Sequence, residues 1–430
     1  MPEAVPAGVP ASADRRSLRI LYITQWFEPE PILKGVEFVR GLAARGHEVE
    51  TVTGFPNYPR GSLYPGYRLR LHRQDEIEGV SVNRVWLYPS HGLSSFRRIL
   101  NYFSFAFSAA MFGLFKAGKF DLLYVYPPPP AALAAALICA VRRRPFVMDI
   151  QDLWPDSVIR SGMPGTRWME RVLTPMCNFA YRRATRIVAQ SHGIARRLTE
   201  RGVPRDKISV VYNWAHEDGP TGTLDLAPYG FAGRFNIVYG GNLGLMQGLD
   251  TLIRAAQVAA REVPNLQLTL IGNGADRDRL LALVRELDAS AHVRIAPGIP
   301  RDQIGDVFAA ADVLALHLIK DPLFAITVPH KTQSYMAAGR PILVAVEGEA
   351  ASLVTEAGAG VSAESGNVVA IAAAMVRLAR TSPEELQAMG EAGRREFGER
   401  FTLAAAIEAT DAAIQQAYQS ANARGRSLTR

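Results

Sequence analysis

The chain has 430 residues, 48% hydrophobic and 21% charged, the make-up of a globular protein rather than a disordered or fibrous one. That length fits two cores of roughly 200 residues each. With two cysteines, Cys139 and Cys177, no disulfide framework is needed, and a reducing compartment is expected. The net charge of +7 is uneven: residues 1–215 hold 29 Lys and Arg against 17 Asp and Glu, while residues 216–430 hold 19 against 24. The first half therefore faces something anionic, and the lack of zinc-finger or RNA-binding spacing argues against nucleic acid.

Residues 1–17, rich in Pro and Ala without the apolar centre of a signal peptide, read as a disordered leader. Leu18 to Thr24 is a near-continuous apolar run, as in a parallel strand covered on both faces. An irregular loop follows to Gly35, then a short helix from Val36 that Gly46 stops, and a strand from Glu48 to Thr53. This β-loop-α-β unit makes Lys34 and Gly35 a phosphate-facing corner. Phe55 to Gly66 (FPNYPRGSLYPG) is a Pro/Gly/aromatic loop long enough to be functional rather than a mere connector.

Ile99 to Phe115 carries no charge and lies between Arg97 and Arg98 on one side and Lys116 and Lys119 on the other. Three readings stay open. It is a buried helix of an α/β domain. It is an interfacial helix whose Arg97, Arg98, Phe103, Phe107 and Lys116 meet anionic lipid. Or it is a span at the short end of the range, diluted by Asn101, Ser104 and Ser108. Strands follow at Asp121–Tyr126 and Pro145–Ile150, with an apolar helix between them. Gln151, Asp152 and Trp154 come just past the second strand's carboxyl end, where open α/β sheets bind ligands. Further strand, helix and strand signals run to Tyr212. Residues 216–232, rich in Gly, Pro and Thr, read as an interdomain linker.

The second half opens on Asn236 to Ala256 (NIVYGGNLGLMQGLDTLIRAA). A short β-rich run meets Gly240, Gly241, Gly244 and Gly248, and then Leu249, Leu252, Ile253 and Ala256 recur at helical spacing. Such a unit turns backbone N–H groups and a helix dipole toward an anion, and glycine lets a phosphate approach. An ordinary ligand-free turn is the alternative. Strands at Leu266–Ile271 and His292–Ala296 end in Gly272-Asn273-Gly274 and Pro297-Gly298. His330 and Lys331 precede a helix to Ala338. There their charge opposes the dipole unless an anion lies between them. Asp276-Arg277-Asp278 looks like a metal-binding Asp-X-Asp, but at a helix start the carboxylates are better read as capping. The alternation of strand and helix gives an α/β protein: two Rossmann-like domains, 18–215 and 233–400, with parallel sheets facing a deep interdomain cleft. A helical tail at 401–430 packs back on the first domain.

These stretches together resemble the glycosyltransferase family 4 enzymes of GT-B fold, and most nearly the bacterial N-acetylfucosamine-type transferases of O-antigen and capsule assembly. The resemblance runs through WFEPE at 26–30, RGHEV at 45–49, TGFPNYPRG at 53–61 and DLWPDS at 152–157. It continues in GNLGLMQGLDTL at 241–252, IGNG at 271–274 and VPHKTQSYMAAGRPI at 328–342. It implies retaining transfer of a sugar from a nucleotide diphosphate-sugar, UDP-linked, with no metal and no other cofactor. The implied acceptor is a lipid-linked saccharide at the cytoplasmic face of a membrane, with peripheral attachment. A soluble enzyme glycosylating a small-molecule acceptor and a donor-binding subunit without turnover remain alternatives.

On this resemblance Gln151, Asp152 and Lys331 are the catalytic candidates. Donor binding falls to Lys34, Gly35, Gly240, Gly241, Asn242, Gln247, Gly272, Gly274, Gly298, His330 and Ser334. Pro56, Asn57, Tyr58 and Trp154 would contact the acceptor. Charge growing on the leaving phosphate needs fixed donors, which the glycine loop and Lys331 supply. Gln151 stands where many relatives carry histidine, and an amide cannot act as a base. The wider family has two glutamates eight residues apart, the second bonding ribose hydroxyls. Here those places hold Ile326 and Ser334, and Ser334 bonds a hydroxyl without a carboxylate's strength.

Overall fold

The computed structural model describes residues 15–90, 95–127, 129–156, 166–217 and 219–427. Two compact units result, each taken by itself below. Unit 1 comprises Met1–Val188, Val203–Ser209 and Ile407–Arg430, and unit 2 comprises Ala189–Gly202 and Val210–Ala406.

Unit 1 is built on β1 (Arg19–Ile23), β2 (Glu48–Gly54), β3 (His72–Ile77), β4 (Val80–Val85), β5 (Leu122–Val125), β6 (Phe146–Ile150), β7 (Arg186–Ala189) and β8 (Ile208–Val210). The sheet order is β3-β4-β2-β1-β5-β6-β7-β8. The central pairs are parallel, and their all-buried runs at Leu122–Val125 and Phe146–Ile150 are those of strands covered on both faces. One edge departs from the expected parallel sheet: β3 and β4 form an antiparallel hairpin, with Ile77 opposite Val80. Glu78 and Gly79 both take positive φ in its two-residue turn, the backbone that matches strand twist.

The helices of this unit are α1 (Val36–Ala44), α2 (Ser95–Phe115), α3 (Pro129–Arg142) and α4 (Thr166–Arg183). Strand order with right-handed crossovers places α2, α3 and α4 side by side on one face and α1 on the other. One side of α2 is buried through Tyr102, Phe105, Ala109 and Phe112, while Phe103 and Phe107 are exposed. By length and composition α2 is the one described helix that could cross a membrane, and half of its apolar window is buried within the protein.

Unit 2 begins with α5 (His192–Glu200). Ser191 caps it, accepting from the Ile194 N–H at 3.0 Å, and donates to the Ile326 carbonyl at 2.6 Å. The sheet is fully parallel in the order β11-β10-β9-β12-β13-β14. Its strands are β9 (Phe235–Gly240), β10 (Leu266–Ile271), β11 (Val293–Ala296), β12 (Val313–His317), β13 (Ile342–Ala345) and β14 (Gly360–Ser362). The helices are α6 (Leu249–Ala259), α7 (Arg277–Glu286), α8 (Ile304–Ala310), α9 (His330–Ala338), α10 (Glu349–Glu356), α11 (Val368–Ala379) and α12 (Pro383–Arg400). Alternate residues of β9 feed opposite layers: Ile237 and Tyr239 join the core with α6 and α11, and Val238 joins the one with α8 and α9. The last helix, α13 (Leu403–Ser427), passes into unit 1 at Ile407.

Three expected boundaries change. Residues 216–232 belong to unit 2 and do not link the units: the Asp306 carboxylate accepts from the N–H groups of Thr221, Gly222, Thr223 and Leu224, and Tyr229 and Phe231 are buried. Their polar composition hid a carboxylate-bound turn. The first domain does not run unbroken to 215, because 189–202 packs in unit 2. Most of the leader lies outside the described residues, and Arg15–Ser17 are bound rather than loose. Arg15 pairs with Glu408 at 3.6 Å and the Arg16 N–H reaches Gln415. His47 meets Asp411 at 3.0 Å, and Ile407 fills the space beside Gly41.

Candidate functional site

In unit 2 the carboxyl ends of β9, β10 and β11 and the amino end of α9 enclose a cavity of about 400 Å³. It sits beside the switch point, where the sheet order runs outward from β9 to β10 on one side and to β12 on the other. Eight expected residues line it: Gly240, Gly241, Asn242, Gly272, Gly298, His330, Lys331 and Ser334. Arg301 adds a second cation, and among the described residues no carboxylate lines the cavity.

Lys331 is the centre of its electrostatics. Its ammonium lies 3.6 Å from the centroid of the Tyr239 ring and bonds the Tyr239 hydroxyl. Burial pushes its pKa down to about 7. It stands in the first turn of α9, where the helix dipole also disfavours positive charge. An anion in the cavity relieves both penalties. The glycines are needed for close packing here. A Cβ on Gly241 would come within 2.6 Å of the Lys331 side chain, and one on Gly272 within 1.7 Å of the Gly241 carbonyl.

Several expected roles change. The N–H groups of Gly240 and Gly241 are committed, to the Tyr335 hydroxyl at 3.0 Å and the Ile271 carbonyl at 2.8 Å. Among the described residues the Asn242 N–H has no acceptor. His330 bonds the Trp214 carbonyl through Nε2 at 3.0 Å and meets the Ser334 hydroxyl at Nδ1, so its ring anchors the loop while lining the cavity. Gln247 lies off the cavity, its Oε1 accepting from Gly244 N–H at 3.1 Å and Asn242 Nδ2 at 3.2 Å. Gly274 lies off it too, and is glycine because a Cβ would sit 2.1 Å from the Leu243 carbonyl. Asp276 makes no side-chain cap. Its carboxylate instead holds Arg279 at 2.6 and 2.7 Å. Among the described residues no three His, Cys, Asp or Glu side chains gather where a metal could sit.

Residues that the sequence reading missed are Tyr335 and Phe308, whose rings stack edge to face with centroids 5.3 Å apart beneath Gly240, and Asn273 and Arg301. Asn273 sits between two singled-out glycines, which was the available signal. Nothing local marked the other three.

Unit 1 gathers a second set. Lys34 is 1% exposed and pairs with the fully buried Asp149. That carboxylate also accepts from the Tyr124 hydroxyl and, at 2.7 Å, from Gln151 Nε2. Lys34 is therefore an internal cation that fixes Asp149, and not a donor contact. Gly35 is likewise structural: the Glu28 carboxylate accepts the Val36 N–H at 2.9 Å, and a Cβ on Gly35 would collide with it. Asp152 is open to solvent on the same loop as Gln151, yet enough protein surrounds its carboxyl that desolvation raises its pKa. Trp154 and Tyr58 each lie one ring away from an intermediary: Tyr102–Trp154 centroids are 5.7 Å apart, Trp26–Tyr102 6.2 Å and Trp26–Tyr58 5.4 Å. Asn57 is buried, with Pro56 beside it, and the loop is held by Glu30. The Glu30 Oε1 accepts from both Asn57 and Tyr58 N–H groups at 2.7 Å, and burial lifts its pKa to about 7.

Comparison with known proteins agrees with this architecture. The glycosyl transferase 4-like domain family matches residues 36–214 and the glycosyl transferases group 1 family matches residues 229–396. The protein of Escherichia coli (strain K12) that bears the name colanic acid biosynthesis glycosyl transferase WcaI is 26% identical over 267 residues, 58% of this chain and 64% of its own length. The Pseudomonas aeruginosa protein named glycosyltransferase WbjE is 27% identical over 53% of this chain and 58% of its own. The matches thus span about three fifths of these relatives. Among solved structures, Anabaena HepE in complex with UDP superposes with a TM-score of 0.63 at 16% identity, covering 92% of this chain and 99% of that one. Sucrose-phosphate synthase from Thermosynechococcus elongatus gives 0.69 at 16% identity, covering 94% and 100%. The fold is the two-domain α/β GT-B type, and the chain is made of a glycosyl transferase 4-like domain followed by a glycosyl transferases group 1 domain.

Proposed function

We propose that the chain is a retaining glycosyltransferase that moves a sugar from a UDP-linked donor to a lipid-linked saccharide acceptor in bacterial surface polysaccharide assembly, without a metal. The observation that carries this reading is the acid-free cavity at the amino end of α9, with Lys331 and Arg301 on its wall. Its volume suits a nucleotide. The names of the Escherichia coli and Pseudomonas aeruginosa relatives and the UDP bound in HepE support the substrate class.

In this reading the diphosphate lies against the amino end of α9, the Asn242 N–H and Lys331. As the bond from sugar C1 to phosphate oxygen breaks, negative charge grows on the phosphate and fixed donors stabilise it. The acceptor hydroxyl oxygen bonds C1 on the face the phosphate leaves, and its proton passes to the departing phosphate oxygen. Lys331 and Arg301 supply the charge that a divalent cation gives elsewhere. Ser334 faces the same cavity and offers a hydroxyl to the ribose. In unit 1 Asp149 orients Gln151, whose amide and the neighbouring exposed Asp152 carboxylate are the groups offered to the acceptor. The exposed Phe103 and Phe107 of α2, with Arg97 and Lys116, support a peripheral position on the cytoplasmic face of the membrane, in reach of a lipid-linked acceptor.

The test is a thermal-shift series with UDP, GDP, ADP and dTDP in EDTA. Ligand at a hundred times Kd adds about 2.7 kcal/mol, so the expected result is a raised Tm with UDP that is lost in Lys331→Ala. No shift with any nucleotide overturns the reading.

A further inference from the structure

Residues 95–148 contain seven Lys and Arg and one carboxylate, Asp121. The fold distributes much of that charge, and more from α4, in a regular way. Helices α2, α3 and α4 run parallel on one face of the unit 1 sheet, so their carboxyl ends lie along one edge. Arg142 ties two of these ends together: its guanidinium donates to the Gly113 and Leu114 carbonyls at 3.3 Å and to Gly118 O at 2.8 Å.

Each end repeats one pattern, a large apolar side chain left in solvent beside two exposed cations. At α2 it is Phe115, 78% exposed, with Lys116 and Lys119. At α3 it is Val141, 62% exposed, with Arg143 and Arg144. At α4 it is Phe179, 46% exposed, with Arg182 and Arg183.

A helix dipole attracts cations to a carboxyl end, but two of these ends are already served. Arg142 takes the α2 carbonyls and Lys207 donates to the Arg182 carbonyl at 3.0 Å. The dipole also gives no reason for the exposed Phe115 and Val141, while Phe179 has the Arg183 guanidinium 5.9 Å from its ring centroid. Among the described residues none of the six cations makes an ion pair. Of the bordering carboxylates, Glu50 takes the Gly118 N–H at 3.1 Å and Asp121 takes the Arg19 N–H at 3.0 Å, with Arg144 close enough to Asp121 to help lower its pKa but forming no ion pair with it.

We infer that the carboxyl ends of α2, α3 and α4 form a docking edge for an anionic lipid bilayer, with Phe115, Val141 and Phe179 entering the interface and the six cations meeting headgroups. This rests on the membrane part of the proposed function and extends it from α2 and its flanks to an edge that α2 alone does not define. A stripe of apolar residues without charge would suit a protein partner equally, and the paired cations select the anionic surface.

The test is flotation of the full chain with phosphatidylglycerol/phosphatidylcholine vesicles and with phosphatidylcholine alone, at low salt. Wild type is expected to float with the anionic vesicles only. Arg143→Gln/Arg144→Gln is expected to weaken binding on the order of thirtyfold, the worth of two cations at a charged surface. Phe115→Ser/Val141→Ser should weaken it as well, with the UDP-dependent Tm shift retained in every variant as the check on folding. Wild-type flotation that persists in these variants but is lost in Arg97→Gln/Arg98→Gln overturns the edge and leaves the membrane reading standing. No flotation of wild type overturns both, and equal flotation with neutral vesicles overturns the anionic assignment.

Discussion

The ammonium of Lys331 faces the Tyr239 ring at 3.6 Å from its centroid, so the one lysine of the cavity is held over an aromatic face and away from any carboxylate. Cation–π contact offsets part of the loss of hydration, but burial still brings the pKa to about 7.

A pH dependence of opposite sign in the free and bound protein follows. A diphosphate favours the charged form, so the complex keeps a proton that the free protein loses above pH 7. Affinity is then full below pH 7 and falls as pH rises, by up to about tenfold per unit. Isothermal titration with UDP in buffers of different ionisation enthalpy should show proton uptake near pH 8. Lys331→Met should abolish both the uptake and the pH slope. Without ligand the unfolded chain binds more protons between pH 7 and the ordinary lysine value of 10.5, so apo stability should rise across that window.

Gly272→Ala should damage the cavity although it changes no chemical group. The added carbon would meet the Gly241 carbonyl at 1.7 Å, and the two loops cannot both keep their places. A loss of about 1–3 kcal/mol in urea unfolding is expected, with weakened UDP binding. Gly398→Ala, at a helical position of α12 whose Cβ meets nothing within 4 Å, controls for the added carbon without a clash.

The Lys34–Asp149 pair gives a test in which two changes do less harm than one. Lys34→Met leaves a buried carboxylate without its cation and should cost about 3–5 kcal/mol. Adding Asp149→Leu removes the orphan and should restore much of the stability. Denaturant midpoints for the four proteins read the coupling directly. Activity should not return in the double variant, because Gln151 has lost the carboxylate that orients it.

Asp306 should make the 221–224 turn acid-sensitive. The Gly222 N–H leads the donors that bring its pKa down to about 2, below the ordinary 3.8. Its stabilisation is complete above pH 4 and is lost as pH falls toward 2. Hydrogen exchange at Gly222 and Leu224 should speed up over that interval in the wild type and be fast at all pH values in Asp306→Ala.

The cavity was the most legible part of the molecule, because a glycine-broken strand followed by helical spacing describes its own geometry. What lies across the sheet was not. Phe308 and Tyr335 are ordinary helical aromatics until β9 is placed beside α8 and α9. Lys34 read as a phosphate ligand because nothing near it names a partner, and Asp149 is 115 residues away. Residues 216–232 read as a linker for the same reason, their anchor being Asp306. The 72–85 hairpin carries a Glu-Gly turn signal but little apolar alternation, so its strands do not stand out in the sequence.

The chain passes between the units at 188, 202, 209 and 406. No single cut therefore yields either unit whole. A fragment ending at 215 would carry α5 without the Ile326 carbonyl and Glu349 carboxylate that receive it, and would lack Asp411 for His47. Exchange of unit 2 between relatives has to carry residues 189–202 along with 210–406, so the inheritable module here is a discontinuous one.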